Sequence, residues 1–343
     1  MGRRPTITDL AREAGVSVAT VDRVLNGRLK VREDTARRVY DAASAIGYHG
    51  AGLIRLRLQG NLPQYKLGFV LQKPKQYFYQ SFAEQIQRAV AGNTRINGTA
   101  TIDFLASPSP GDTVSALLEM GKRSQAVAMV APDHPNLAEA VASLRAKGVP
   151  VFSLLSDFAL DARQGYVGLN NLKAGRTAAW FISKTAKRPG KVAIVLGSHR
   201  FHGQEVREMG FRTFFREKAP GFHLLETLIN LETSQLTYEA ILDLIQLHPD
   251  LVGLYIAGGG MEGAISALYE EKTAGRVIAV CNEITPESRR ALADEIMSLV
   301  IATPLDQLCA TLVEQMIRAV NTHMQEPASQ VFLPFDLHMP ESI

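Results

Sequence analysis

Positively charged side chains, which bind the phosphates of nucleic acids, are concentrated at the start of this 343-residue chain. Residues 1–60 contain 11 Lys or Arg and 6 Asp or Glu, a net charge of +5. The rest of the chain contains 26 Lys or Arg and 28 Asp or Glu, a net charge of −2. Because affinity for nucleic acid rests largely on neutralising phosphates, this distribution predicts that the N-terminal segment contacts nucleic-acid phosphates.

Residue patterns typical of enzymes and metal sites are absent from the sequence. The three glycines at 258–260 do not match G-x-G-x-x-G, and no P-loop, nucleophile elbow or H-E-x-x-H pattern occurs. His199 and His202 form the only close pair of histidines, and they would bind a metal only with a third ligand. Cys281 and Cys309 lack metal-ligand spacing. We therefore expect no catalytic residue, no metal and no cofactor.

Two short helices joined by a tight turn are predicted over residues 6–26. Apolar residues recur at helical spacing from Ile7 to Ala14. Gly15 is placed to end the first helix in a left-handed conformation, and Ser17 to cap the second. A third helix is predicted over residues 33–45. Any small helical hairpin shows this pattern, but together with the charge it favours a helix-turn-helix that binds DNA. The predicted inward face of the second helix is Val18, Val21, Val24 and Leu25.

The same segments resemble the lac repressor (LacI/GalR) family of bacterial transcription regulators. The similar segments are T-I-T-D-L-A-R-E-A-G-V-S-V-A-T-V (6–21), R-V-L-N-G (23–27), V-R-E-D-T-A-R-R-V (31–39) and A-I-G-Y (45–48). The resemblance implies a DNA-binding helix-turn-helix domain followed by a periplasmic-binding-protein-like effector domain.

This resemblance also implies which residues contact DNA. Arg23 matches the position of an arginine that contacts guanine, for which a guanidinium can bind O6 and N7 together. Asp22 departs from the serine usual at its position, and a carboxylate there either points away from phosphate or lowers the affinity. The implied DNA-binding residues are Thr8, Ser17, Val18, Ala19, Thr20, Arg23, Asn26, Arg55, Leu56 and Arg57.

The hinge that follows these helices departs from the family pattern. Gly50 and Ala51 replace the usual Pro-Asn pair, and Arg57 stands where relatives insert a leucine into the minor groove. Either Arg57 acts by its charge, or Leu56 or Leu58 is the inserted side chain. Because the hinge glycines disfavour a helix, we expect residues 50–60 to be unfolded or poorly ordered without DNA.

From residue 66 onward, apolar strand candidates alternate with amphipathic helices. This alternation predicts parallel sheets covered on both faces, and two successive sets of such units predict two doubly wound α/β lobes. The G-Y-V-G stretch at 165–168 is interpreted as a turn region between the sets. The helix at 305–319 is expected to return to the first lobe. The other predicted helices are 81–91, 172–185 and 205–216, and the predicted strands are 66–71, 101–106, 126–131, 149–155, 191–197, 224–229, 252–257, 277–281, 299–302 and a Pro-containing strand at 331–340.

The sequence is therefore divided into three parts. The predicted domains are a helix-turn-helix domain at 1–49, a hinge at 50–65, and an effector-binding and dimerisation domain at 66–343. Lobe 1 is predicted at about 66–168 plus 303–325, and lobe 2 at about 169–302 plus 326–343.

Ligands of open parallel sheets bind beyond the carboxyl ends of the strands. Polar residues directly after the predicted strands are therefore candidates, although loops are polar in any case. The resemblance implies that Arg207, in R-E-M-G-F, donates hydrogen bonds to an effector. Asn282, Thr303 and Gly258 stand where relatives have Asp, Gln and Asn, and Asp157 either binds ligand or caps its loop. The expected effector site is Gln72, Tyr79, Ser107, Asp157, Phe201, Arg207, Gly258, Asn282 and Thr303.

The predicted function is that of a transcriptional repressor that binds pseudopalindromic operator DNA as a homodimer. A small neutral effector, a sugar or polyol, is expected between the lobes, where Tyr79 and Phe201 either stack on its ring or only pack in the wall. In the alternative, the lobes form a solute-binding protein or an enzyme, and the N-terminal helices are only structural. The start of the chain lacks the apolar core of a signal peptide, and no 18-residue apolar run occurs. A cytoplasmic protein without membrane contact is therefore expected.

Overall fold

The computed structural model describes residues 4–26, 31–54, 62–105, 107 and 109–343. The chain forms two compact units. One consists of Met1–Tyr65 with Ala91–Thr99, and the other of Lys66–Val90 with Ala100–Ile343. The first contains the N-terminal helices, and the second contains two lobes built on separate sheets.

The predicted signals at Gly15 and Ser17 separate the first two N-terminal helices, and the start of the first helix has a cap that was not predicted. Thr6 and Asp9 form a capping box at the start of the first helix. Gly15 has φ +62° after that helix, in the left-handed region that glycine tolerates. The Ser17 hydroxyl oxygen accepts a hydrogen bond of 3.1 Å from the backbone NH of Thr20 and so caps the second helix. The three helices are α1 (Ile7–Glu13), α2 (Val18–Asn26) and α3 (Glu33–Ala45).

These helices bury a common apolar core. Leu10, Val21, Val39 and Ala43 have no exposed surface. The predicted inward position of Val18 is wrong, because 42% of this residue is exposed. Val16, in the turn before α2, packs against the core in addition to the predicted residues. The first turn of α2 therefore presents its valine to solvent.

The described part of the hinge is more ordered than its glycines predict. Residues 51–54 form a helical turn in which the backbone NH of Ile54 donates to the carbonyl of Gly50 at 3.1 Å. Ile54 is fully buried in the helical core, and this burial offsets the low helix propensity of the preceding glycine. The expectation of an unfolded segment is therefore wrong for residues 50–54. Arg55, Leu56, Arg57 and Leu58 lie outside the described residues.

The first lobe is built on a sheet with strand order β12-β5-β4-β3-β1-β2. The pairs β1–β3, β3–β4, β4–β5 and β5–β12 are parallel. Within the described residues, its strands are β1 (Gln64–Gln72), β2 (Asn97–Leu105), β3 (Ala126–Met129), β4 (Val151–Leu154), β5 (Gly165–Leu169) and β12 (Ser329–Leu333). Its helices are α4 (Tyr77–Gly92), α5 (Pro110–Arg123), α6 (Pro135–Ala146) and α12 (Leu305–Asn321), and α12 returns to pack against β3 and β5 as predicted.

The second lobe is built on a sheet with strand order β13-β11-β10-β9-β6-β7, and β8 also pairs with β6. Its pairs are parallel except for the antiparallel β11–β13. Its strands are β6 (Lys191–Leu196), β7 (His223–Leu224), β8 (Leu228–Ile229), β9 (Leu251–Ile256), β10 (Ile278–Asn282), β11 (Leu299–Ala302) and β13 (Asp336–His338). Its helices are α7 (Asn171–Thr185), α8 (His202–Lys218), α9 (Ser234–Leu247), α10 (Met261–Glu270) and α11 (Pro286–Ala293).

Three predictions about these lobes need correction. The stretch at 165–168 is not a turn region but part of β5, a fully buried strand. The predicted strand at 224–229 is two short strands, and the one at 331–340 breaks at Pro334, which has no NH to give to a sheet. The assignment of residues 326–343 to lobe 2 is wrong for β12, because β12 pairs with β5 in the first sheet. None of the described helices is long and apolar enough to cross a membrane.

Candidate functional site

The surface of α2, together with Ser17 directly before it, carries six of the ten predicted DNA-binding residues. Ser17, Val18, Ala19, Arg23 and Asn26 are all exposed. Ala19, Arg23 and Asn26 are spaced four and three positions apart along the helix, so they share a face away from the buried Val21 and Val24. Thr20 is half-buried and Thr8, on α1, is exposed.

Two short hydrogen bonds organise this face. The Asn26 amide nitrogen donates to the Asp22 carboxylate at 2.6 Å, one helical turn away. The hydroxyls of Ser17 and Thr20 lie 2.9 Å apart. Asp22 is therefore directed toward Asn26, on the exposed surface, and its negative charge stays beside the predicted phosphate contacts.

The second unit contains a cleft cavity that receives residues from both lobes. It encloses about 830 Å³ of empty space, part of it open solvent. Five predicted effector residues line it, namely Tyr79, Phe201, Arg207, Gly258 and Asn282. Gln72 lies instead in an adjoining hollow that shares Tyr79, Phe201 and Glu232 with the cavity. The lining also includes Gln76, Phe78, Ser156, Gln204, Glu232, Glu262, Glu283 and Thr285.

Arg207 is a buried guanidinium fixed by neutral partners. Its Nε donates to the Asn171 amide oxygen at 2.7 Å and its Nη1 to the carbonyl of Ala257 at 2.9 Å. Only 8% of the residue is exposed. Close packing of α7 and α8 sets its place, because a Cβ atom at Gly175 would overlap the Arg207 carbonyl. The positive charge is therefore oriented into the cavity by neutral groups.

Glu283 is a cavity residue that the predicted site omits. It has φ +72°, and Thr303 donates to its carboxylate from its backbone NH at 2.9 Å and from its hydroxyl at 2.7 Å. Burial raises the pKa of the Glu283 carboxyl, while Arg207 and the two Thr303 bonds partly oppose that rise. It directly follows β10, so the rule that polar residues after strands are candidates already included it, although the expected site did not. Thr303 does not line the cavity, and its hydrogen bonds instead orient the Glu283 carboxylate.

Asn282 lines the cavity, but its amide is largely occupied. The Tyr255 hydroxyl donates to its side-chain oxygen at 2.7 Å, and its nitrogen donates to the carbonyl of Ile301 at 3.2 Å. Burial raises the pKa of the Tyr255 hydroxyl, which keeps it a neutral donor. An aspartate here could accept from Tyr255 and from a ligand, whereas the amide has less capacity left. Glu283 therefore supplies the carboxylate in this part of the cavity.

Besides Gln72 and Thr303, two further predicted effector residues are not in the cavity wall. Asp157 accepts bonds from the Arg163 guanidinium at 2.5 and 2.7 Å and from the Ser153 hydroxyl at 2.6 Å, all within the first lobe. This buried pair gives Asp157 a structural role. Ser107 accepts a bond of 3.2 Å from the backbone NH of Ser109, which itself caps α5.

Gln204 occupies the space that a side chain at position 258 would fill. A Cβ atom at Gly258 would overlap the Gln204 amide oxygen. That oxygen accepts from the backbone NH of Gly197 at 2.7 Å, and the amide nitrogen donates to Glu232 at 2.6 Å. The missing amide at Gly258 is therefore replaced by one from α8. No local pattern in the sequence marks Gln204 or Glu232 as site residues.

Tyr79 places a hydroxyl of the first lobe near the charged side chains of Glu232, Glu283 and Arg207. Burial, followed by the Glu232 and Glu283 carboxylates, raises the pKa of its phenol, and Arg207 partly opposes the rise. The hydroxyl is thus a neutral hydrogen-bond donor at ordinary pH. Phe78 packs edge-on against Tyr79, with ring centroids 5.2 Å apart. Together they provide an aromatic wall.

Known proteins resemble the chain in both units. The pattern of the lacI family of bacterial regulatory proteins matches residues 6–50, and that of the periplasmic binding protein domain matches residues 67–323. The chain belongs to the family of proteins with a periplasmic binding protein domain, and its N-terminal segment is a lacI-type helix-turn-helix domain. The protein thus has the predicted fold class, a helix-turn-helix followed by a two-lobed α/β domain.

Two relatives and one solved structure illustrate the similarity. An uncharacterized HTH-type transcriptional regulator of Streptomyces limosus is 28% identical over 60% of this chain and 57% of its own length. The sucrose operon repressor of Streptococcus mutans is 27% identical over 64% of each chain. The matched regions thus span less than two thirds of either relative. A periplasmic solute-binding protein of Actinobacillus succinogenes with bound D-allose has a TM-score of 0.72 and 18% identity, over 82% of this chain and 98% of that one.

Among the described residues, no group of three or more His, Cys, Asp or Glu could bind a metal ion. The predicted histidine pair instead faces carboxylates. His199 lies 3.2 Å from Glu208, and His202 lies 3.4 Å from Glu205. Cys281 and Cys309 are buried free thiols. Burial raises the pKa of the Cys309 thiol to about 12, which keeps it protonated.

Replacing Asp22 with serine should increase the affinity for DNA. Removing one negative charge about 7 Å from a phosphate changes the affinity about threefold in water. The change should appear with duplex DNA of random sequence and shrink as salt is added. Fluorescence anisotropy at two salt concentrations measures it, with Asp243→Ser, an exposed residue of α9, as the control. Equal affinities of Asp22→Ser and the parent protein would show that Asp22 does not face DNA.

Replacing Glu283 with glutamine should flatten the dependence of stability on pH. A carboxyl whose pKa is raised in the folded state stabilises that state at low pH, and this contribution is lost as the pH rises through the folded pKa. Thermal unfolding from pH 4 to pH 8 should therefore show the variant gaining relative to the parent as the pH rises. Glu287→Gln, at an exposed position on α11, is the control. Parallel curves for parent and Glu283→Gln would contradict the prediction.

Proposed function

We propose that this chain is a sequence-specific transcriptional repressor whose operator affinity changes when a small neutral sugar or polyol binds in the cleft cavity. The observation that carries the proposal is that one chain combines the exposed face of α2 with the oriented guanidinium of Arg207 in a cavity between two lobes. A cytoplasmic location follows from the proposed contact with operator DNA.

The proposed DNA contact uses α2 as the recognition helix. Val18 and Ala19 read bases, Arg23 binds a guanine, and Thr8, Ser17, Thr20 and Asn26 contact the backbone. Such a helix reaches only a few base pairs, so two chains would be needed for a specific operator. We propose a homodimer on a pseudopalindrome with half-sites about 10 base pairs apart.

The hydrogen-bond donors and acceptors that line the cavity indicate the chemical class of the proposed effector. Glu232, Glu262 and Glu283 supply carboxylates, whereas Arg207 supplies the only guanidinium of the described lining. Hydroxyl groups both donate and accept, so a polyhydroxyl compound matches this mixture, while an anionic compound is repelled by the carboxylates. The name of the sucrose operon repressor supports a sugar. The D-allose complex supports the fold alone.

The proposed mechanism couples cleft closure to DNA binding. An effector that binds the closed lobes better than the open ones shifts the population toward closure. A change of tenfold to a hundredfold in operator affinity needs about 1.4–2.8 kcal/mol of such differential binding.

The competing function is a solute-binding protein or an enzyme on the same two-lobed scaffold. The solved structure quoted above is itself a solute-binding protein. The N-terminal helices argue against this function, because solute transport does not require a helix whose exposed surface carries Arg23. Selecting operators from random duplex DNA, followed by binding at increasing salt, separates the two, since specific binding should lose orders of magnitude in affinity.

Effector identity is tested by thermal unfolding of the full chain against pentoses, hexoses, polyols and nucleobases. A ligand at a hundredfold excess over its Kd stabilises the protein by about 2.7 kcal/mol. A shift with a polyhydroxyl compound supports the proposal. Shifts with nucleobases alone would contradict the proposed effector class.

Replacing Arg23 with alanine should reduce specific more than nonspecific binding. The loss should be about 1–3 kcal/mol on a selected operator and much smaller on random DNA, because a guanidinium binds two acceptors of one guanine. Anisotropy titrations on both DNAs measure it. Arg12→Ala, which removes the same charge from an exposed site on α1, should affect both DNAs equally. Equal losses with Arg23→Ala would reduce its role to a phosphate contact.

Replacing Arg207 with alanine should abolish the effector response and leave operator affinity within a few fold. The guanidinium is buried in the cavity, whereas DNA binding depends on another unit. Calorimetry with the compound found by thermal unfolding measures the loss, and Arg216→Ala, exposed on the same helix, is the control. Unchanged effector affinity in Arg207→Ala would remove this residue from the site.

A further inference from the structure

An ion pair connects the two lobes at the edge of the cleft cavity. The Lys73 ammonium donates to the Glu232 carboxylate Oε2 at 3.1 Å and to the Glu232 backbone carbonyl at 2.8 Å. Lys73 directly follows β1 of the first sheet, and Glu232 lies after β8, which pairs in the second sheet. The pair therefore spans the cleft rather than stabilising a single lobe.

The second lobe fixes the carboxylate without help from Lys73. Glu232 Oε1 accepts from the Gln204 amide nitrogen at 2.6 Å and from the backbone NH of Gly259 at 2.9 Å. The Glu232 backbone NH donates to the Asn230 side-chain oxygen at 2.9 Å. Asn230 in turn donates to the Gly259 carbonyl at 2.7 Å. Oε2 is thus left directed toward the other lobe.

Glycines provide the space for this carboxylate. A Cβ atom at either Gly197 or Gly259 would overlap the Glu232 carboxylate. Neither glycine has a positive φ, so its absent side chain, and not an unusual backbone conformation, is what the structure requires. The loops that contain Gly197 and Gly259 therefore both lack a side chain at the place that the Glu232 carboxylate occupies.

Both members of the pair occupy unusual backbone conformations. Lys73 has φ +42°, and Leu231 and Glu232 have φ +50° and +60°. Such conformations cost energy in residues other than glycine, and they occur mainly where surrounding contacts enforce them. Here they bring the lysine from one lobe and the carboxylate from the other to the same point.

Partial burial makes this pair more effective than an ordinary surface ion pair. The Lys73 and Glu232 side chains are 27% and 15% exposed. Screening by salt is weaker for partly buried charges, and the preformed carboxylate loses less conformational entropy than two free side chains would. The pair remains open enough for solvent and salt to compete with it.

We propose that Lys73 and Glu232 form an ionic latch that holds the two lobes closed through protein groups alone. This inference goes beyond the proposed function, because the latch needs neither effector nor DNA. Glu232 also lines the cleft cavity beside Tyr79 and Phe201. A molecule in the cavity therefore contacts the same carboxylate that holds the lobes together.

Two other bonds between the lobes report on closure. The backbone NH of Asp133 donates to the Arg200 carbonyl at 2.9 Å, and the backbone NH of Gly203 donates to the Ser156 hydroxyl at 3.1 Å. Neither bond involves a latch residue. Their amides should exchange with solvent deuterium faster when the lobes separate. A local disturbance around Lys73 or Glu232 that leaves the lobes closed should not affect them.

The test is hydrogen exchange of the full chain without effector, read by mass spectrometry on peptides that contain the amides of Asp133 and Gly203. Lys73→Met should speed their exchange about tenfold, which corresponds to about 1.4 kcal/mol. Glu232→Gln should do the same, because glutamine keeps an oxygen for Gln204 and Gly259 but loses the charged acceptor. The double variant should exchange no faster than either single one. Added salt should speed exchange in the parent and much less in the variants.

Controls make each outcome decisive. Lys75→Met removes a neighbouring exposed charge and should leave both amides unchanged. The Gly259 amide should stay protected in Lys73→Met, which shows that the Glu232 site itself remains folded. Unchanged exchange at Asp133 and Gly203 in Lys73→Met would overturn the latch, as would additive effects in the double variant. Since no effector or DNA is used, a failed effector screen leaves this test intact.

Discussion

The buried guanidinium of Arg207 is the charge on which the arrangement of the cleft depends. A buried cation is costly unless polar groups replace its water. Here an amide and a backbone carbonyl replace part of it, and the close approach of α7 and α8 at Gly175 fixes its position. Because those partners are neutral, the charge acts on the rest of the cavity. It opposes the rise that burial causes in the pKa values of Glu283 and Tyr79.

The other polar residues of the cleft either line the cavity or hold a lining residue in place by hydrogen bonds. Some residues line the cavity, whereas Thr303 and Tyr255 orient them from behind. Departures from the family pattern are compensated in the same way. The amide at Asn282 is occupied by its neighbours while Glu283 supplies a carboxylate, and Gln204 fills the space left by Gly258. A polar site of this kind tolerates substitution when a nearby side chain can take over the missing group.

In the N-terminal unit, the helical repeat of α2 by itself decides which residues are buried and which are exposed. Val21 and Val24 enter the core, and Arg23 and Asn26 therefore face outward. A polar face on a short helix gains little stability by itself. The core that it shares with α1 and α3 keeps the face rigid, as contact with base edges requires.

The sequence by itself determined what depends on neighbours along the chain. Helical spacing, the caps at Gly15 and Ser17, the concentration of positive charge and the alternation of strands with helices are all local features. The family resemblance added Arg207. Even there, the glycine-containing strand β5 was misread, because its burial between strands and helices outweighs the turn preference of glycine.

Only the tertiary structure decided which polar side chains reach the cavity. Asp157 and Glu283 both follow strands and look equivalent in the sequence. Asp157 meets Arg163 and Ser153 in its own lobe, whereas the left-handed backbone of Glu283 turns its carboxylate to the cavity. Lys73 and Glu232 are 159 residues apart in the chain. Partners so distant in sequence leave no periodic signal, because their meeting depends on how two separate sheets pack.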